Sequence, residues 1–187
     1  ALRNRPQSPI DVIVRPWPMA GSALIGCGQE IVLRFDTRRN DHEAELGVII
    51  GKKADRVSRA DAMSYVAGYS IALDMTVRGT EDRSLRKSLD TYSVLGPWMV
   101  TADEIKDPGN IEFSIKVNDE LRQHANTRDL IFDIPKLIEY ASSFYALHPG
   151  DIIMTGTPEG VGPVKPGDVM HVEFQNIGKM DVKVRAA

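Results

Sequence analysis

A single cysteine, Cys27, stands among the 187 residues. It excludes an internal disulfide and a dithiol redox pair, and it fits a reducing, cytoplasmic setting. No apolar run approaches the roughly 20 residues that span a bilayer. The opening Ala-Leu-Arg-Asn-Arg-Pro also lacks the apolar core of a secretion signal, so no membrane association is expected. Lys and Arg nowhere form a run, and the net charge is −3 with a pI near 5.8; nucleic acid is not an expected partner. His42, His124, His148 and His171 are scattered, and no Gly-x-Ser-x-Gly elbow occurs, which sets aside a serine or cysteine triad. Repeats and low-complexity tracts are absent. What is present, 42% hydrophobic and 26% charged residues, is the make-up of a soluble globular chain long enough for one domain with a real core.

The segment up to about Gly28 is rich in Pro and Gly and reads as extended or irregular chain. Strands are expected over 30–35, 43–51, 71–77, 112–117, 121–124, 151–154, 169–174 and 180–184, with Asn118-Asp119 as a hairpin turn. Ser58 is placed to cap a short helix running through Val66. The clearest helix follows Asp133, where Ile134, Leu137, Ile138, Ala141 and Phe144 recur at helical spacing, and Pro149-Gly150 is expected to end it. Charged residues crowd 78–90, a loop or short helix over a site. Strands outnumber helices without regular alternation, which disfavours a doubly wound sheet and points to a mixed α/β, β-rich sandwich or roll with a few short helices.

Glu43 and Glu45 lie two apart in an expected strand, so both carboxylates share a face, about 6–7 Å apart. The next residues are almost wholly apolar. Two like charges at the lip of a buried strand lose hydration and repel unless a proton or cation joins them. Two readings stand: a hydrated edge face, or a cation site. Asp74, inside the apolar stretch 71–77, is either a core carboxylate satisfied by backbone amides or a third ligand. Three carboxylates on two apolar strands form the hard-oxygen set that Mg²⁺ or Mn²⁺ prefers, and the lack of His or thiolate argues against zinc. Arg78 and Lys87 follow in the charged loop, where they are either solvated surface charge or neutralise such a site and bind an anionic substrate. The run Thr155-Gly156-Thr157-Pro158-Glu159-Gly160-Val161-Gly162 is either a tight turn or a loop whose amides and hydroxyls hold a carboxylate; its spacing matches no P-loop or dinucleotide fingerprint.

These stretches together resemble the C-terminal catalytic domain of the fumarylacetoacetate hydrolase superfamily, from about Arg15 onward. The resemblance rests on His42-Glu43-Ala44-Glu45-Leu46-Gly47, Gly68-Tyr69 through Asp74, Lys87-Ser88, Leu95-Gly96-Pro97-Trp98 and Thr155-Gly156-Thr157-Pro158, in that order; 117–122 and Gly160-Val161-Gly162-Pro163 look like the acylpyruvase branch. It implies a mixed β-sandwich roll, usually a homodimer, with Mg²⁺ or Mn²⁺ on Glu43, Glu45 and Asp74. It further implies an active-site lysine at Lys87 and a carboxylate-binding threonine at Thr157; Gly156 beside it and Arg78 in the charged loop are read as further substrate contacts. The implied chemistry is hydrolysis of a carbon–carbon bond in small oxo-carboxylic acids, acylpyruvates such as fumarylpyruvate or maleylpyruvate. The alternatives are decarboxylation or isomerisation of oxaloacetate-like or muconate-derived acids and, from another class, metal binding without turnover.

Two departures shape the expectation. Relatives read Arg-Asp-x-Gln after the metal aspartate, whereas this chain reads Arg78-Gly79-Thr80-Glu81, which makes Glu81 a candidate catalytic base. A His-x-x-Glu pair before Glu43 is missing, and Arg15 stands where a lysine is common. The chain therefore reads as one catalytic domain over 1–187 with its N-terminal lid segment short or missing, a metal site intact and hydrolysis slow.

Overall fold

The structure, a computed structural model, describes the backbone of residues 11–13 and the whole of residues 23–187. In chain order its strands are β1 (Asp11–Ile13), β2 (Leu24–Gly26), β3 (Ile31–Leu33), β4 (Asn40–His42), β5 (Ala44–Ile50), β6 (Val66–Asp74), β7 (Thr76–Val77), β8 (Ser93–Thr101), β9 (Glu112–Val117), β10 (Glu120–Asn126), β11 (Ile152–Met154), β12 (Gly162–Val164), β13 (Val169–Phe174) and β14 (Gly178–Ala186). Two helices, α1 (Arg83–Lys87) and α2 (Ile134–Phe144), interrupt them. Among the described residues the strands form a six-stranded sheet, β1-β11-β5-β6-β8-β2, a five-stranded sheet, β10-β9-β13-β14-β3, and a three-stranded sheet, β12-β4-β7. Pairing is antiparallel except for β2 with β8 and β3 with β14. This is the β-rich roll expected from the sequence.

Alternation along β5 and β6 sets the layers. Ala44, Leu46, Val48 and Ile50 of β5 and Tyr69, Ile71 and Leu73 of β6 are buried in a core cluster shared with Phe113, Ile115, Val172, Phe174 and Val182 of the five-stranded sheet. A period of two then sends Glu45 and Gly47, and Gly68, Ser70, Ala72 and Asp74, to the other face. Ala44 lies opposite Leu73 and Glu45 opposite Ala72. The same register continues into the three-stranded sheet, where Asn40 lies opposite Val77 and Asp41 opposite Thr76. Residues 40–50 and 66–77 thus make one long ribbon, broken at Glu43 and Met75, where it passes from one sheet to another.

Several local expectations hold. Asn118, at a φ of 55°, turns the β9–β10 hairpin, and Asp133 caps α2 by accepting the Lys136 amide at 2.9 Å. Others need correction. Ser58 caps no α-helix: its hydroxyl donates to Asp61 at 2.7 Å, closing a turn before a single 3₁₀ turn at Ala62–Tyr65, because β6 already begins at Val66. Helix α2 stops at Phe144, five residues ahead of Pro149, once Tyr145 turns extended. Phe144 is exposed, packed on Tyr140 with ring centroids 5.0 Å apart, so the helical spacing ran one residue beyond the core. The strand β8 was not foreseen, since Gly96-Pro97 reads as a breaker; the chain kinks there with Gly96 at a φ of 156° and then resumes pairing. Short β2 and β12, among glycines and prolines, were also missed. The irregular opening segment and Arg15 lie largely outside the described residues.

Gly68 of β6 lies close against the backbone of β8. A Cβ built there would lie 2.3 Å from the Val100 carbonyl oxygen, a backbone atom with no side-chain freedom to yield. Gly68→Ala should therefore cost about 1–3 kcal/mol, lowering the melting temperature by ~2–4 °C per kcal/mol. An unchanged thermal melt would show that the neighbouring bulge between Tyr69 and Ile71 absorbs the added carbon.

Candidate metal centre and active site

Register brings the three carboxylates together. Continuous pairing on both sides of the break places Glu43 opposite Asp74, and the Asp74 amide donates to the Glu43 carbonyl at 2.9 Å. Glu45, two residues on, shares their face. One oxygen from each of Glu43, Glu45 and Asp74 lies within 4.8 Å of the others, and all three residues are buried. Burial pushes the Glu45 carboxyl well above the usual carboxylate range; the Asp74 and Glu43 charges push the same way, while Lys87 and the Gly156 amide oppose. A trio of buried carboxylates in such proximity calls for positive charge.

The segment after β7 supplies it. Asp82 caps α1 by accepting the Ser84 amide at 2.9 Å, and the helix delivers the buried Lys87 to the cluster. The Lys87 ammonium donates to Glu43 Oε2 at 2.8 Å and, in a short contact, to Asp74 Oδ2. Arg78 donates to Glu43 Oε1 at 3.3 Å and to Asp41 Oδ2 at 2.7 Å. Burial would raise the Asp41 carboxyl, but Arg39 and Arg78 outweigh it and hold it below its ordinary value. Thr76 donates to Glu43 Oε1 at 3.2 Å.

Glu81 is placed differently from this group. Its carboxylate is exposed and gripped by Arg38, through Nη1 at 2.9 Å and Nη2 at 2.8 Å, and that pairing holds its pKa below the ordinary value. Arg38 also donates to the Arg78 carbonyl at 2.9 Å. A Cβ on Gly79 would lie 2.0 Å from Arg38 Nη2 and 2.2 Å from Glu81 Oε2. The ion pair of Arg38 and Glu81 thus occupies the space beside Gly79, and a side chain at 79 would have to displace these two flexible side-chain ends. For Glu81 to take a proton from water, Arg38 would have to release it.

From the other side comes the segment after β11. Gly156, at a φ of 96° that suits a residue without Cβ, donates its amide to Glu45 Oε2 at 2.6 Å. The Thr157 hydroxyl donates to the Ala44 carbonyl at 3.0 Å and accepts from Gln123 at 2.8 Å. Gln123, buried on β10, also accepts the Ala44 amide at 3.1 Å and donates to the Pro158 carbonyl at 3.1 Å. It ties the ligand strand to this loop. Sequence reasoning passed over Gln123, since nothing but its place in a polar-looking hairpin distinguishes it. His42 faces away from the carboxylates: its neighbours Asp41 and Glu43 both meet Arg78, while the ring lies toward Gly162 on β12. Burial lowers its pKa, opposed by the nearby Gln123 side chain.

The donor set fits a hard divalent cation. It is all oxygen, buried and anionic in excess of its partners, and it contains neither sulfur nor imidazole. Fold and donors together define a β-roll with a divalent-cation centre. The chain belongs to the fumarylacetoacetate hydrolase family, whose C-terminal domain model matches residues 11–185. It is 57% identical over 167 residues to the maleylpyruvate hydrolase of Aquipseudomonas alcaligenes, covering 89% of this chain and 58% of that protein. An uncharacterised protein of Pyrococcus horikoshii is 42% identical over 189 residues, covering 97% of this chain and 80% of its own length. Among solved structures, a maleylpyruvate hydrolase from Sphingobium sp. SYK-6 in complex with manganese(II) and pyruvate superposes with a TM-score of 0.85 at 48% identity, over 89% of this chain and 62% of that one. A fumarylpyruvate hydrolase from Pseudomonas aeruginosa, with Mn²⁺ and pyruvate, gives 0.81 at 29% identity over 89% and 76%. The chain thus spans somewhat under two thirds of the maleylpyruvate hydrolases it matches.

Glu45→Gln replaces a carboxyl whose ionised form burial and the neighbouring carboxylates disfavour, and removes one candidate metal donor. Its melting temperature without added metal should rise, by ~2–4 °C for each kcal/mol of repulsion relieved. Mn²⁺ affinity should fall by more than the roughly 10–100-fold that losing a merely supporting residue costs. Calorimetric titration beside a thermal melt checks both, and unaltered Mn²⁺ binding would remove Glu45 from the ligand set.

Proposed function

We propose that the chain is the catalytic domain of a divalent-metal-dependent acylpyruvate hydrolase, cleaving 2,4-dioxo acids such as maleylpyruvate or fumarylpyruvate. The observation that carries this reading is the buried Glu43–Glu45–Asp74 trio with the Lys87 ammonium and the Arg78 guanidinium against it. The likeness to two hydrolases that hold Mn²⁺ and pyruvate supports it. Glu43, Glu45 and Asp74 would hold Mg²⁺ or Mn²⁺, which supplies Lewis acidity to a 1-carboxylate and 2-oxo group and stabilises an enolate.

The protein's own groups do the rest. Hydrolysis adds water at the 4-carbonyl carbon and breaks the bond between carbons 3 and 4; the acyl half leaves as a carboxylate, and the other half, an enolate, is protonated at carbon 3 to pyruvate. Lys87 and Arg78 place positive charge where that enolate develops; the charge of the buried Lys87 acts strongly there, that of the partly exposed Arg78 less. The loop of Gly156 and Thr157 closes the opposite side of the site, with Gln123 fixing its position; the Thr157 hydroxyl would donate to a substrate carboxylate on leaving the Ala44 carbonyl. Glu81 enters proton transfer only on release from Arg38. A free, exposed Cys27 suits a reducing cytoplasm, and the exposed Trp98 and Met99 of β8 offer apolar surface for a homodimer.

Loss of 2,4-dioxo-acid absorbance with equimolar pyruvate formation, dependent on Mn²⁺ or Mg²⁺ and abolished by chelation, is the expected result. Oxaloacetate decarboxylated in place of dioxo acids hydrolysed would replace the reading. Lys87→Ala should lower kcat by the equivalent of about 2.7–4 kcal/mol, as for the loss of one electrostatic donor. A variant with wild-type kcat would return Lys87 to a purely structural role.

A further inference from the structure

Lys87 meets the metal ligands themselves. Its ammonium donates to Glu43 Oε2 at 2.8 Å and to Asp74 Oδ2, two of the three carboxylates within 4.8 Å of one another. The remaining oxygen of Glu43 already accepts from Thr76 at 3.2 Å and Arg78 at 3.3 Å. A divalent ion and this ammonium therefore draw on the same small set of oxygens. Two cations bonded to one oxygen are separated by no more than the sum of their bond lengths, on the order of 5 Å, and at that range in a buried site they repel strongly.

We propose that Lys87 is a built-in competitor that sets the metal affinity of this centre. It stabilises the carboxylate trio on its own and penalises the ion that shares it, and both effects lower affinity. The inference rests on the metal reading above and adds to it a trade: the group that supplies charge to the reaction weakens the hold on the metal. Removing Lys87 therefore moves the two properties in opposite directions, with turnover falling and metal binding tightening. A lysine that merely packed the site would loosen both when lost. Arg78 provides the internal comparison, since of the three carboxylates it meets Glu43, spends its shorter contact on Asp41, and does so from a side chain 40% exposed, where water screens its charge.

The test is calorimetric titration of Mn²⁺ into wild type, Lys87→Met, Lys87→Gln and Arg78→Gln, each also melted with and without Mn²⁺. At least tenfold tighter binding is expected for Lys87→Met, with a lower melting temperature in the absence of Mn²⁺ and a larger rise on its addition than in wild type. Lys87→Gln, a milder change, carries the same expectation should the methionine variant fail to fold. Arg78→Gln should tighten binding by less. Unchanged or weaker binding in the Lys87 variants beside normal wild-type binding overturns the proposal alone. Equal gains from Lys87 and Arg78 place the effect in the general field of the site and overturn the shared-oxygen competition. A wild type that binds no Mn²⁺ overturns the metal reading and takes the proposal with it.

Discussion

Everything in this molecule is arranged around three carboxylates that face one another across a strand pair. On the opposite side of the same two strands lie Ala44, Leu46, Tyr69, Ile71 and Leu73, all within the core, so the strands cannot rotate to let the charges out into water. The repulsion must be met where it stands. A lysine comes from one loop, an arginine beside it, and a glycine amide from another loop. The apolar core thus fixes the position of the charges, and the charges decide which loops must close over them.

Those loops come from separate parts of the fold, and each is anchored at a distance from the carboxylates. Residues 78–87 are tied down by Arg38, which grips Glu81 and the Arg78 carbonyl, and by the Asp82 cap of α1. Residues 155–159 are tied down by Gln123, which bridges the Ala44 amide, the Thr157 hydroxyl and the Pro158 carbonyl. Polar side chains that never touch the cluster thereby determine its shape, and two of them, Arg38 and Glu81, do so from the exposed surface.

The carboxylate face and the charged segment above it were legible in the sequence because strand periodicity is local: Glu43 and Glu45 share a face whatever surrounds them. Asp74 was recognisable as costly, but only long-range register could put it opposite Glu43. The break at Glu43 and Met75 was invisible, since a strand that changes sheets keeps its alternation while changing its neighbours. Strand β8 was hidden by Gly96-Pro97, whose breaker signal was outweighed by pairing with β6 on either side. Glu81 looked chemical because of its place in a motif; its partner Arg38, 43 residues earlier, was beyond any local pattern. Gln123 had no signal at all, for its importance lies in bridging segments distant in sequence.

The ribbon that carries the three carboxylates is not equally forgiving along its length. Its register is unbroken from Asn40 opposite Val77 to Ile49 opposite Gly68, and its irregularity is confined to the step between Ile49 and Ile50. A residue gained or lost at that far end has a bulge already there to take it up. One gained between Glu43 and Glu45 has none, and would turn one glutamate into the hydrocarbon interior while leaving the other on the carboxylate face. A change of length is therefore tolerable at the closed end of the ribbon, where it leaves the carboxylates in place, and disruptive at the end that holds them.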